Sequence, residues 1–538
     1  MGTADYSELL WMVSIATCIK LLLVPSYHST DLEVHRHWMA ITSSLPLKEW
    51  YEDETSEWTL DYPPLFAWFE RLLAIFARRV DPIMVDLVKG LNYSTDTVIL
   101  FQRSTVIIAD CVLYWGLWRF CRKFTAEKQR ILCAAVVFSP GLFIVDHIHF
   151  QYNGFLLGIL LLSLSYLREG RNVTGGFWFA VLVCYKHLFA VAGPVYFVYL
   201  LRHYCRGVSW FSNFMRLGLT VISVVGIAFG PFIYYGQMGQ LMKRLFPFGR
   251  GLCHAYWAPN FWALYNTVDK GLSVVLRKLG KDVRAPKAAM TGGLVGDSSG
   301  HAVFPNVTPA VTALLVLLAM LPCLVRIWRR PRRSEIVQWV VYAYTCGYMF
   351  GWHVHEKAAL HFVVPLSLLI ADSVKAAGDF LFVSTVSYYS LFPLLFENRE
   401  YPIKVPLLLL YEFAMATYLP HYFVNMSPDR VSNSGVESEE PAESTSDKSE
   451  SSPRSDWTML SSLQEVELLG TVRKLYLWGL LPVEIYSQFL HPYLFKDRLP
   501  FFPLMLVSFY CSVGLFYAWA KQLMACFDQP KPDIHFQI

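Results

Sequence analysis

Apolar stretches of roughly 17–25 residues recur along almost the whole chain, each long enough to cross the hydrocarbon core of a bilayer. This pattern predicts an all-α polytopic membrane protein, because helices satisfy their own backbone hydrogen bonds inside lipid. The composition agrees: 16% of the 538 residues are charged and 54% are hydrophobic, where soluble domains carry about 25% charged residues. The net charge of +4 is no sign of a nucleic-acid partner, because basic residues in membrane proteins mainly report topology. Eleven cysteines are scattered without a C-x-x-C pair, most of them inside apolar runs, so neither a disulfide framework nor a zinc site is suggested.

Basic loops mark the cytosolic side. RFCRKFTAEKQR at 119–130 and RIWRRPRRSE at 326–335 each carry five Lys or Arg, and LREGR at 167–171 and LLRHYCRG at 200–207 are weaker signals of the same kind. Placing all four in the cytosol makes both termini cytosolic and residues 27–97 lumenal. The first apolar run, near 9–26, has no small-residue cleavage site after it and reads as an uncleaved signal anchor. Residues 175–200 lie between two basic loops but barely suffice for one span, and Lys186, His187 and Pro194 interrupt them. Two half-spans forming a hairpin would restore parity. The whole count comes to about fourteen spans. Residues 1–427 are expected to form a membrane-embedded region with lumenal loops. The acidic, Ser-rich segment at 428–456 reads as a disordered cytosolic loop, and 457–538 as further spans and a tail.

This topology gathers the unusual ionisable residues on one side. HSTDLEVHRHW (28–38), LDYPP (60–64), DHIHFQYN (146–153), RLFPFGRGLCHAYWAPNFWALYN (244–266) and GWHVHEK (351–357) all fall on lumenal loops or lumenal span ends, as one composite site would. A multi-span transporter would instead place charges near mid-membrane and show internal repeats, and no clear repeat is present.

Each candidate has a functional and a structural reading. Asp31 at the membrane edge is either a general base or a helix N-cap. Asp61, held extended by Pro63 and Pro64, either orients a hydroxyl or shapes its loop. His147 and His149 form a His-x-His pair, but no Cys or third His completes a metal set, so sugar or phosphate contacts through His149 and Gln151 are preferred. His353, His355 and Lys357 suit a lipid-linked phosphate, or anchor a span end. Arg244, Arg250, His254 and Trp257 sit in an aromatic, basic loop suited either to sugar stacking with phosphate pairing or to an interfacial helix. Asp110, preceded by Arg103, is expected to form a buried structural pair with it.

The segments HSTDLEVHRHWMAITSSLPLKEWY, SEWTLDYPPLFAWFE, VDHIHFQYNGF, RLFPFGRGLCHAYWAPNFWALYN and GWHVHEKA resemble the signature segments of the endoplasmic-reticulum glucosyltransferases that use dolichyl-phosphate-glucose. The resemblance covers roughly residues 8–525. It implies the membrane-embedded GT-C glycosyltransferase fold with lumenal active-site loops, a multi-pass protein of the endoplasmic-reticulum membrane, and catalysis with no cofactor and no metal. Its catalytic carboxylate lies in the first lumenal loop, where Asp31 matches. The implied donor is dolichyl-phosphate-glucose and the implied acceptor a dolichyl-pyrophosphate oligosaccharide, both within membrane lipid. Two siblings add the first and the second glucose. The CHAYWAPNFWALYN and WTLDYPP blocks are more similar to the second, an α-1,3-glucosyltransferase acting on the monoglucosylated, nine-mannose oligosaccharide.

Overall fold

The computed structural model describes residues 6–254, 256–284, 300–426, 466–496 and 498–528. The acidic loop at 428–456 lies outside the described residues. Among the described residues the chain is helical throughout, and extended pairing is limited to one isolated bridge between Cys253 and Val354. Six helices are long and apolar enough to cross a membrane: Asp96–Cys121, Ala126–Phe150, Trp210–Tyr234, Pro309–Arg329, Asn398–Asn425 and Phe502–Ala525. Several of the expected spans are broken into shorter pieces. Residues 358–373 form only the helix Leu360–Ser367 with turns around it, and 471–495 run as four short segments. Such breaks are tolerated at membrane depth where protein surrounds them.

Helices divide into central and peripheral ones by what their sequences allow. Helix Asn153–Arg168 is buried over nearly its whole length, among it Leu156, Leu160, Leu161 and Leu164. Two glycines let it press against its neighbour: a Cβ at Gly158 would meet the backbone of Val112 at 2.5 Å, and one at Gly116 would meet the Gly158 carbonyl at 2.5 Å. Close backbone approach through small residues is how membrane helices gain packing energy when lipid tails are as apolar as leucine. Helices Trp210–Tyr234, Pro309–Arg329 and Tyr401–Asn425 instead expose Ile222, Ile227, Leu314, Leu318, Leu409, Leu410 and Phe413, a surface suited to lipid.

The interrupted run at 175–200 folds back on itself. Helix Asn172–Tyr185 ends at Lys186, whose backbone is extended, and a 3₁₀ turn at His187–Ala192 leads into helix Gly193–His203. The Ser163 hydroxyl bonds to both the Gly175 carbonyl and the Tyr196 hydroxyl, and Phe179 stacks on Tyr196 with centroids 3.6 Å apart. The two ends of this hairpin lie on the same face as the other basic loops. Arg119 and Arg122 pair with Glu169, and Arg202 and His203 bond to the carbonyls of Trp328 and Pro331.

Asp110 differs from expectation. It pairs with Lys20 and His147, all three buried, whereas Arg103 donates to the carbonyls of Leu23, Tyr27, His147 and Ile148. The reason is geometric: the helix ends at 23–27 and 147–150 leave carbonyls unpaired, and a guanidinium with five donors can satisfy several at once. Arg103 therefore fastens the segment after the first helix to the segment that carries His149.

Candidate active site

Helix Asp31–Ser44 starts at the segment that Arg103 ties down. Asp31 is its first residue, yet its side chain makes no cap bond to its own helix; instead the Ser29 hydroxyl accepts from the Asp31 amide. The carboxylate points outward. Its Oδ2 accepts from Gln151 Nε2 at 2.8 Å and from Lys357 Nζ at 2.8 Å, and His149 Nε2 lies 3.4 Å away. Oδ1 has no hydrogen-bond partner among the described residues, and the side chain keeps 22% of its surface open. One oxygen is thus fixed while the other is free to receive a proton.

Two strained turns bring these partners in. The segment Phe143–Phe150 is a π-helix, and Phe150 closes it at φ 88°, a left-handed conformation unusual for a bulky residue. That turn sends Gln151 toward Asp31. His353 stands at φ 51°, four residues before Lys357. Its amide donates to the Leu252 carbonyl and its Nδ1 lies 3.0 Å from the Gly251 carbonyl, so loops 250–254 and 351–357 are zipped together. Strain of this kind costs of the order of 1–3 kcal/mol per residue and persists where surrounding contacts enforce it.

Electrostatics separate the charged groups from the neutral ones. Burial opposes ionisation of Asp31, but the Lys357 ammonium and His149 outweigh it and hold the carboxyl well below the usual carboxylate range. Burial pushes Asp61 up, against the Arg250 guanidinium 3.5 Å away. Burial, aided by His353 and Lys357, pushes His254 down to about 3, and His355 also falls well below the ordinary imidazole range. The two rings pack with centroids 4.0 Å apart, tilted by 36° to each other. His254 and His355 are therefore neutral at physiological pH, so His355 offers hydrogen bonds rather than the positive charge its sequence context suggests. The cationic side chains of the group are Lys357, paired with Asp31, and Arg250, paired with Asp61.

Not every expected residue joins this group. Asp31, His149, Gln151 and Lys357 are in mutual contact, with His355, His254 and His353 packed beside Lys357's loop and Asp61 bound to Arg250. Arg244 points elsewhere, to the Tyr51 carbonyl and to Glu54. Trp257 is 2% exposed, with Lys270 over its ring at 5.0 Å, so it has no open face on which a sugar could stack. One residue of the site escaped the sequence reading: Lys186, which is buried and linked to Gln151 through Asn153, beside Asp146 of the same 146–153 segment. The polar residues in the apolar run at 175–200 were the available signal, and they read there as a topological break.

One group could ligate a metal. His254, His355 and Glu356 bring three ligand atoms within 4.8 Å of one another, a set sequence spacing did not suggest. The glucose transfer that the resemblance implies is nonetheless expected to persist in excess EDTA, because a phosphate leaving group needs no acid and the Lys357 ammonium lies beside Asp31 without a metal. Loss of activity restored by a single divalent ion would assign this trio to a metal instead.

Residues 16–522 match the model of the ALG6, ALG8 glycosyltransferase family. A relative from Arabidopsis thaliana named dolichyl pyrophosphate Glc1Man9GlcNAc2 alpha-1,3-glucosyltransferase is 54% identical over 522 residues, covering 97% of this chain and 98% of the relative. Proteins of the same name from Bos taurus and Mus musculus are 40% and 42% identical, over 97% and 95% of this chain and 96% and 94% of their own lengths. With a match that spans the ionisable loops as well as the apolar helices, this chain belongs to the ALG6, ALG8 glycosyltransferase family.

Proposed function

We propose that the protein transfers glucose from dolichyl-phosphate-glucose to Glc1Man9GlcNAc2 on dolichyl pyrophosphate, in α-1,3 linkage, as the second glucosylation of the N-glycan precursor. The proposal includes the GT-C fold with about fourteen membrane segments, an endoplasmic-reticulum location, a lumenal site and cytosolic termini. The observation that carries it is the half-engaged carboxylate of Asp31, one oxygen held and one open, beside a lysine placed for an anion. The relatives' shared name supports the choice of acceptor.

The stereochemistry follows from the two linkages. The donor glucose is β-linked to phosphate and the product is α-linked, so the reaction inverts. Asp31 Oδ1 takes the proton of the acceptor 3-hydroxyl as its oxygen attacks C1 through an oxocarbenium-like state. The bond from C1 to the phosphate oxygen breaks, and the phosphate departs on its lipid with the electron pair. No acid is required, because phosphate is stable as an anion. Lys357 meets the charge that develops on it.

Profiling of lipid-linked oligosaccharides in cells lacking the protein tests the assignment. The expected result is accumulation of the monoglucosylated species, restored by the wild-type chain. Accumulation of the species with no glucose would make the protein the first-glucose enzyme.

A further inference from the structure

Lys186 is an odd residue to find where it lies. It stands at the break between helices Asn172–Tyr185 and Gly193–His203, 6% exposed, with no ion-pair partner among the described residues. A buried ammonium is costly unless its hydrogen bonds are well placed. Its contacts are the Tyr62 ring, 5.2 Å away, and Asn153 Oδ1, to which it donates at 3.3 Å.

From Asn153 a line of hydrogen bonds leads to Asp31. Asn153 Nδ2 donates to Gln151 Oε1 at 2.9 Å and to Asp146 Oδ1 at 2.9 Å. Gln151 Nε2 donates to Asp31 Oδ2 at 2.8 Å. Each amide points the same way, its oxygen toward Lys186 and its nitrogen toward Asp31. The direction is forced from the ends. Asp31 is held ionised and only accepts, so it demands the nitrogen of Gln151; an ammonium only donates, so Lys186 demands the oxygen of Asn153, whose nitrogen is then left for Gln151 Oε1 and Asp146 Oδ1. Asp146 is itself fixed by the Gly154 amide at 2.6 Å.

We propose that Lys186 is a positioning residue for glucose transfer, acting on Asp31 through the side-chain amides of Asn153 and Gln151 rather than on either substrate. The inference rests on Asp31 being the base. With Lys186 in place, neither amide can turn over, and Gln151 keeps its donor on Oδ2. The carboxylate then cannot rotate, and Oδ1 stays presented to the acceptor hydroxyl. Without Lys186, the Asn153 oxygen is left buried and unpaired, Asn153 is no longer held in the orientation that donates to Gln151 Oε1, and the Gln151–Asp31 bond loses its support from behind.

A double-mutant cycle on the purified full-length chain tests this. Lys186→Met and Gln151→Leu are each expected to lower kcat about 10- to 100-fold, the size of effect a misplaced reacting group produces, with KM for donor and acceptor unchanged. Combined, they should lose little more than either alone, because both cut the same line. Lys186→Gln, which keeps a donor without the charge, should retain more activity than Lys186→Met and serves in the cycle where the latter does not fold. Losses that multiply would overturn the proposal. So would a raised KM with kcat intact, which would put Lys186 on a substrate, or an undiminished kcat in Lys186→Met. The underlying reading is checked separately in Asp31→Asn: transfer by that variant removes the base assignment, whereas an inactive Asp31→Asn with independent Lys186 and Gln151 effects removes only the relay.

Discussion

Replacing Asp31 by asparagine is expected to lower glucose transfer by about 10²–10⁴-fold, the range a positioned general base contributes. The substitution keeps the shape of the side chain and an oxygen for Gln151 and Lys357 to bond, so the fold should survive. What disappears is the basic Oδ1. Both substrates should still bind, and the loss should fall on kcat. The measurement is single-turnover transfer by purified protein with defined donor and acceptor. A variant that transfers at near wild-type rate would show that another group takes the proton.

The second large effect is expected at Lys357. Its ammonium is 13% exposed and touches Asp31 and His149. The leaving phosphate gains negative charge as its bond to C1 lengthens, so a fixed cation stabilises the transition state more than the ground state. Lys357→Ala should cost about 2–4 kcal/mol of transition-state stabilisation, by analogy with loss of one oxyanion donor. Lys357→Arg should restore part of it, since charge survives while geometry changes. A lysine that merely anchored the loop would behave differently: alanine would lower protein abundance, arginine would be silent, and kcat per folded molecule would not move.

The same variant carries a pH signature. Asp31 is held ionised by Lys357 and His149 against burial, while Asp61, Glu356, His254 and His355 are the other titratable groups near it. The base is present above its pKa and lost below it. In the wild type the acid limb of kcat/KM therefore lies below the ordinary carboxylate range. Removing Lys357 leaves burial less opposed, so in Lys357→Met the limb should move to higher pH. An unmoved limb would mean that Lys357 is not what keeps Asp31 ionised during turnover.

Much of the site could be read in the sequence because topology does the assembling. Asp31, His149, Gln151 and Lys357 lie on three separate loops, and parity between basic loops put all three on one face before any contact was known. The half-span hairpin followed from the same parity. What stayed hidden depends on burial. Trp257 reads as a sugar platform because aromatics beside cations often are, but only packing reveals that its ring is covered. His254 and His355 read as cations because their formal pKa permits it, and burial against each other makes them neutral. Arg103 and Asp110 are near in sequence, yet each finds partners on other helices, which no local pattern encodes.

The knot of Lys20, Asp110 and His147 has a bearing on how the chain is made. Lys20 belongs to helix Tyr6–Leu22, Asp110 and His147 to later segments of the chain. Asp110 lies near the middle of the span Asp96–Cys121, and an aspartate there costs about 2.5–3.5 kcal/mol to insert by itself. Lys20, in the last turn of its helix, is the counter-ion that meets Asp110 when that span is placed. The pair joins residues 90 apart in the chain, so helix Tyr6–Leu22 is locked to its neighbour only after residues 96–121 have been made.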